Sequence, residues 1–592
     1  MAEPFKDLPD ECCELIFTRL LHDYHLESPS LACKRFLSII NSLRTHFTIT
    51  HPTIFIHGTL SKLFRRFPNL KSIDLSSFGG DLDRAILEIA ASNLNLKILN
   101  LSGNKRLPLE GLKLLGWRMK NLKVLSFSCF RTFRDVELHA VADSMPCLEE
   151  LDICYLVNDL GSDPQLRALS PGEVGLTDGG IVYLSARLKG LRRIDISGNE
   201  FLTDKSLFAL SSNCVLLEKI VVLNCSLVTP NGIEFVMRNS PNLSSLSVRG
   251  IIMGRWGMHL SFTDHSLTST RNLSVLDIYD SVIHDDYLHL LAKAGFPLKK
   301  FTLAGCSSFT LSGISSLLNT YRSLEHLALT RIVFFTDKEM CDLSRYLSAV
   351  VTIVLDFCSN LTESTFFALA KNCPLLRNIH MVGTNLGGRD STADILMNPR
   401  IKSVKLGKNL NLTDECLRKV AYVCSGLETL DVSCCKGITE KGIANFFKDG
   451  SKIRHLVITD CWEIKNIGAG FELPKFEVLQ AIRTGINDEG LAIIGNRCCG
   501  MLTLNLECCL GVTVVGLEAI VTNCKRLREL NLKWCVNVRM GTADWMVFSR
   551  PSLRKLVVPC SSLPTESQRN LLLRHGCLVR PGVGKLIPEF LP

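Results

Sequence analysis

Residues 427–443 read LETLDVSCCKGITEKGI. Adjacent cysteines such as Cys434-Cys435 have the chemistry to bind a soft metal or to exchange with a disulfide, and the chain holds 25 cysteines in 592 residues. A metal site needs local ligand spacing such as C-x-x-C with a nearby His, and the sequence has none. No metal and no cofactor is therefore expected. His284-Asp285-Asp286 sets a base beside two acids, but it falls where each unit turns into its helix, so Asp285 reads as a helix cap rather than a catalytic base. His22-Asp23-Tyr24-His25 has no second group of ligands. GVGK at 582–585 fails as a phosphate loop: no Gly stands five before Gly584, and Leu586 replaces the Ser or Thr that holds magnesium. No nucleophile–base pair emerges, so the chain is not expected to be an enzyme.

The cysteines make sense once the elements around them are considered. The spacing L-x-x-L-x-L begins at Leu70, Leu96, Leu122 and Leu148, resumes at Leu191, and continues through Leu298, Leu427, Phe476 and Leu553, giving about 19 copies mostly 25 or 26 residues apart. Longer intervals follow Leu148 (43 residues) and Leu243 (30), and a shorter one follows Ile453 (23). Each copy opens with an alternating stretch such as Leu430-Asp431-Val432, which predicts a strand with one face buried. About ten residues on, Thr-Asp pairs (Thr177-Asp178, Thr203-Asp204, Thr413-Asp414) predict helix starts, because a side-chain oxygen there satisfies free backbone N–H groups. One strand and one helix cannot bury a core alone, whereas stacked units can. Cys225, Cys306, Cys358, Cys435, Cys461, Cys509 and Cys535 lie eight residues after their unit's first anchor; Cys214, Cys373, Cys424, Cys498 and Cys524 lie three before one. Fixed phase predicts buried packing rather than redox or metal chemistry.

This pattern resembles the cysteine-containing subclass of leucine-rich repeats. The resemblance implies an α/β solenoid of about 19 repeats over 70–560, with parallel strands on the concave face and helices on the convex face. A junction would occupy 48–69, and a C-terminal cap and tail 561–592, where PTESQRNLLLRHGCLV predicts a closing helix.

The bulk numbers narrow the class. Net charge is +9 with 21% charged residues; no Lys/Arg run stands out, so no nucleic-acid partner is expected. No apolar run is long enough to span a bilayer, so no membrane role is expected either. The acidic, polar opening MAEPFKDLPDECCELI does not resemble a secretory signal. A cytoplasmic or nuclear setting with reduced thiols is the expectation.

Residues 8–47 lack the repeat. Leu8-Pro9 precedes a helical pattern (Cys13, Ile16, Phe17, Leu20), with Pro9 suited to a helix start. A second helix is predicted from near Ser30, with Leu31, Phe36, Ile39, Ile40 and Leu43 on one face. The residues "LPDE…LIFTRL…SLACKRF" resemble an F-box, an all-α module placed here at 1–47. The resemblance implies docking onto a Skp-type adaptor, and through it onto cullin and RING subunits of an SCF ubiquitin ligase. Position by position it assigns the apolar docking surface to Leu8, Pro9, Ile16, Leu20, Leu31 and Cys33, with Lys34 at the polar rim. Cys12 and Cys13 stand where the family has larger aliphatics. An F-box followed by such repeats is similar to plant members that serve as substrate receptors, the repeats holding an unidentified protein target. The alternative is an interaction scaffold whose N-terminal helices only cap the array.

Strand positions two, four and six after each anchor are predicted to face the groove. They are polar and mixed in sign. Arg249, Arg255, Trp256 and Tyr279 form the best substrate-binding candidate, because Arg, Trp and Tyr dominate binding hot spots and the 30-residue interval adds a loop there. A second loop lies around 157–175. The bland alternative is that both loops are surface excursions.

Overall fold

The computed structural model describes residues 8–19, 29–30, 32–49, 59–104, 106–130, 133–155, 175–254, 272–388, 395–449, 452–467, 470, 472–539 and 541–582. It divides into two compact units, Met1–Pro297 and Leu298–Pro592.

In each unit the repeat produces one parallel strand per turn of chain. In the first unit Ser72–Asp74, Ile98–Asn100, Val124–Ser126, Glu150–Asp152, Arg193–Asp195, Lys219–Val222, Ser245–Arg249 and Val275–Tyr279 pair in chain order. In the second unit the same ladder runs from Lys300–Ala304 to Lys555–Val558 and on to Leu578–Pro581. Register follows from phase: the strands from Ser72–Asp74 to Lys555–Val558 in these ladders open two residues after their anchors, so Ser403 faces Thr429 and Thr429 faces His455. The 43-residue interval does not disturb this. Glu150 pairs directly with Arg193; residues 156–174 of that interval lie outside the described residues.

The opening segment shows how one repeat is built. Leu427, Leu430, Val432 and Cys435 are all at most 1% exposed, while Thr429 and Asp431 between them are half-buried. Each fully buried Leu or Ile contributes about 1.5–3 kcal/mol, so the alternating pattern both forms the strand and seals it to its neighbours. Most repeats add a helix, such as Asp178–Arg187, Asp204–Asn213, Asp414–Val423 and Asp488–Arg497, entered at a Thr or Asn cap as the sequence predicts.

The sheet is longer than the apolar anchors suggest. His46–Thr48 already pairs with Ser72–Asp74, one repeat before Leu70. Only Phe47 and Ile49 are apolar in that stretch, and Arg44 occupies the anchor phase, so polar residues hide the repeat. At the far end the expected closing helix is present as Glu566–Arg574, and it leads into the further strand Leu578–Pro581.

Candidate functional site

Asp10–Thr18 begins at Pro9, and Lys34–Leu43 begins at Cys33, whose sulfur accepts the Phe36 N–H at 3.4 Å. Cys13, Phe17, Ile39 and Ile40 close a small core between them, with Leu8, Phe36 and Leu43 packed on it. Phe17 meets Phe36 edge to face at 5.2 Å. Arg35 clasps the pair, donating to Asp10 at 2.7 Å and to the Leu8 carbonyl. That closed core leaves other apolar side chains outside: Leu15 is 66% and Ile16 50% exposed. Pro9, Cys33 and Lys34 are exposed, and Leu8 is half-buried. Leu20 and Leu31 lie outside the described residues. The sequence did not single out Leu15; the helical face defined by Cys13 and Phe17 places it on the outer side.

The cysteines take the predicted packing role with a second function. Cys435 donates to the Leu406 carbonyl of the preceding repeat at 3.3 Å, Cys461 to Val432 at 3.2 Å, Cys509 to Ala481 at 3.0 Å and Cys535 to Leu506 at 3.0 Å. Asn104, Asn199 and Asn409 occupy the same phase and make the same bond. A thiol and an amide serve equally because each delivers one donor to a buried carbonyl. Burial pushes the Cys435 thiol up to about 12, so it stays protonated and unreactive. Its neighbour Cys434 sits in a left-handed turn at φ 59° and is half-buried on the strand-end rim. The Cys434-Cys435 pair is therefore one rim residue and one wall residue.

On the strand face, register brings Arg249 and Tyr279 side by side on adjacent strands. Arg249 forms an ion pair with Asp280 at 2.6 Å, and burial together with the Asp277 charge raises the Tyr279 phenol. Arg255 and Trp256 lie outside the described residues, as does most of the second loop, 156–174. Short strands Ile252–Met253 and Val282–Ile283 pair where the first loop leaves the array.

Nearby, a hollow of about 200 Å³ is lined by Glu150, Asp152, Arg193, Asp195 and Lys219 among others. Donor atoms of Asp152, Cys154 and Asp195 lie within 4.8 Å of one another. Burial and the two carboxylate charges push the Cys154 thiol far up, and burial raises the Asp195 carboxyl. A protonated thiol is a poor metal donor. The helix Asp285–Ala294 begins one residue earlier than the expected cap: His284 holds the N-cap position without a side-chain capping bond, and Asp285 stands in the first turn.

A family model described as Leucine Rich repeat matches residues 92–116. The array is a leucine-rich-repeat α/β solenoid. Among solved structures, the complex of Rad7 and Elc1 in yeast is similar at 18% identity, covering 68% of this chain and 88% of that one, with a TM-score of 0.45. An internalin (inlF) from Listeria monocytogenes is similar at 16% identity, covering 67% and 94%, with a TM-score of 0.38. The mouse RP105/MD-1 complex is similar at 13% identity, covering 90% and 84%, with a TM-score of 0.40. A leucine-rich-repeat array is a protein-interaction fold, its strand faces offering extended surfaces for partners. Among the described residues, no helix is long and apolar enough to cross a membrane.

Proposed function

We propose that this protein is the substrate-recognition subunit of an SCF-type ubiquitin ligase. It is non-catalytic. Its N-terminal helices dock onto a Skp-type adaptor, which carries cullin and RING subunits. Its repeats hold a protein target and raise the target's effective concentration at the ubiquitin-loaded enzyme. The setting is cytoplasm or nucleus.

The carrying observation is the exposure of Leu15 and Ile16 on a helix whose own core is already closed by Cys13 and Phe17. Two adjacent aliphatics left in water, on a helical pair that also exposes Pro9, Cys33 and Lys34, fit an apolar docking surface with a polar rim. The Arg249–Tyr279 pair is the target-binding candidate, with Arg255 and Trp256 assigned to the same site by sequence. A cap-only reading has its own support: Asn69 donates to the Ser42 carbonyl at 2.9 Å and Arg66 to Asn41 at 3.4 Å, tying the second helix to the first repeat.

Reconstitution from purified components separates the two. The full chain is expected to retain a Skp-type adaptor, cullin and RING subunit, and the double variant L15D/I16D to lose all three without a change in Tm. Retention of the adaptor by that variant, or no retention by the wild type, overturns the ligase reading.

A further inference from the structure

The residue seven after most anchors turns left-handed at the strand's C-terminal end, forming a rim that in the second unit includes Arg331 (φ 60°), Phe357 (φ 60°), Lys408 (φ 59°) and Trp534 (φ 60°). Two cations on or beside this rim are neutralised by neighbours: Arg483 makes a two-point ion pair with Asp460 at 2.5 and 2.7 Å, and Lys533 pairs with Glu507 at 2.9 Å. The surroundings of Phe357 differ. Its ring is 39% exposed. The Arg331 guanidinium lies 5.7 Å from the ring centroid and the Lys408 ammonium 5.6 Å. Both side chains are exposed, and among the described residues neither has a carboxylate partner. Gly383 makes room for this arrangement, since a Cβ there would come within 2.7 Å of the ring. Asp356, next to Phe357 in the chain, accepts the Val382 N–H at 2.9 Å, and Asp431 accepts the Ser433 N–H at 2.9 Å and hydroxyl at 2.6 Å.

We propose that the Arg331–Phe357–Lys408 cluster docks an acidic peptide segment of a protein partner, with carboxylates on the two cations and an apolar side chain on the ring. Charge complementarity carries the choice of partner. Two cations held over one exposed aromatic add little to the fold, since an exposed cation–π contact is worth only about 0.5–1 kcal/mol, yet they present unneutralised positive charge around an apolar centre. A nucleic acid fits less well. Its evenly spaced phosphates need a run of cations, and here Asp460 interrupts the rim, with Asp356 and Asp431 on the repeats that bear the cluster or adjoin it. The inference does not depend on adaptor docking, which concerns the other unit.

Fluorescence anisotropy with the full chain tests it, using a short labelled peptide of repeating Glu-Glu-Leu as the probe. Its Gln-Gln-Leu counterpart and a labelled oligothymidylate serve as comparisons. The acidic peptide is expected to bind in preference to both. R331E/K408E is expected to weaken it about tenfold or more, whereas the equally charged control K338E/K441E on helix surfaces changes it less than about twofold. F357A and the charge-only pair R331Q/K408Q weaken it as well, with Tm unchanged. The proposal is overturned by no binding of the acidic peptide, by equal binding of the glutamine peptide, by preference for the oligothymidylate, or by equal losses in R331E/K408E and the control.

Discussion

Asp414 and Thr439 stand one repeat apart and are joined twice: the Asp414 carboxylate accepts the Thr439 backbone N–H at 2.9 Å and its hydroxyl at 2.6 Å. Asp178 treats Thr203 the same way, Asp204 treats Thr229, Asp337 treats Thr362, and Asp488 treats Thr513. The acid after each helix cap thus belongs to two repeats. It favours its own helix N-terminus and satisfies the next cap. Gly442 completes the contact, because a Cβ there would lie 2.0 Å from the Asp414 carboxylate.

D414A is expected to cost about 1–3 kcal/mol, since it strands two donors of Thr439. G442A is expected to cost a similar amount by forcing that carboxylate aside, about 1–3 kcal/mol. Urea unfolding followed by circular dichroism measures both, with K441A as a surface control. A change in D414A no larger than in K441A contradicts the ladder.

Acid separates two half-buried carboxylates by sign. Burial alone raises the Asp178 carboxyl, but hydrogen bonds from Ser206 and Thr203 outweigh it and hold the group below its ordinary 3.8. Its contribution is therefore present above that value and lost as pH falls through the folded value. Asp195 is the reverse: burial raises it, against the hydrogen bond from Ser197, and the Asp152 charge adds to the rise. Its ionised form is disfavoured in the fold, so stability falls as pH rises through its folded value. Melting across acid and neutral pH is expected to show D178N losing stability to wild type mainly above the carboxylate range. D195N is expected to gain on wild type there. Opposite signs contradict the assignments.

Thiol labelling reads the repeat phase directly. Cys33, Cys147, Cys341, Cys499 and Cys560 are exposed, whereas Cys358, Cys435, Cys509 and Cys535 are buried with raised thiols. Mass spectrometry after iodoacetamide treatment is expected to find the first group modified in the native protein and the second only after denaturation. Early modification of Cys435 contradicts its place in the wall.

The solenoid was legible because apolar spacing alone dictates it: Leu427, Leu430 and Val432 can bury together only as a strand against equivalent strands. The Asp–Thr ladder was not legible, because Thr413-Asp414 is fully explained as a local helix start and nothing local reveals the next Thr 25 residues on. The left-handed rim left a trace, since Gly103, Gly198 and Gly383 share the phase of Cys434 and Phe357. Reading only positions two, four and six after each anchor passed over it, and with it the Arg331–Phe357–Lys408 cluster. Arg249 and Tyr279 were legible as a pair because their phase is identical and the register is fixed. Strand His46–Thr48 was hidden by its polar neighbours.

The account rests most heavily on the outer surface of the N-terminal helices. Cys33 is exposed and is assigned to the proposed docking surface, so its labelling rate reports docking at that site. With a saturating Skp-type adaptor, Cys33 modification is expected to slow about tenfold or more, as for a thiol buried at an interface core, while Cys341 and Cys560 react as before. An adaptor that fails to bind, or that binds and leaves Cys33 reacting at its free rate, contradicts the account.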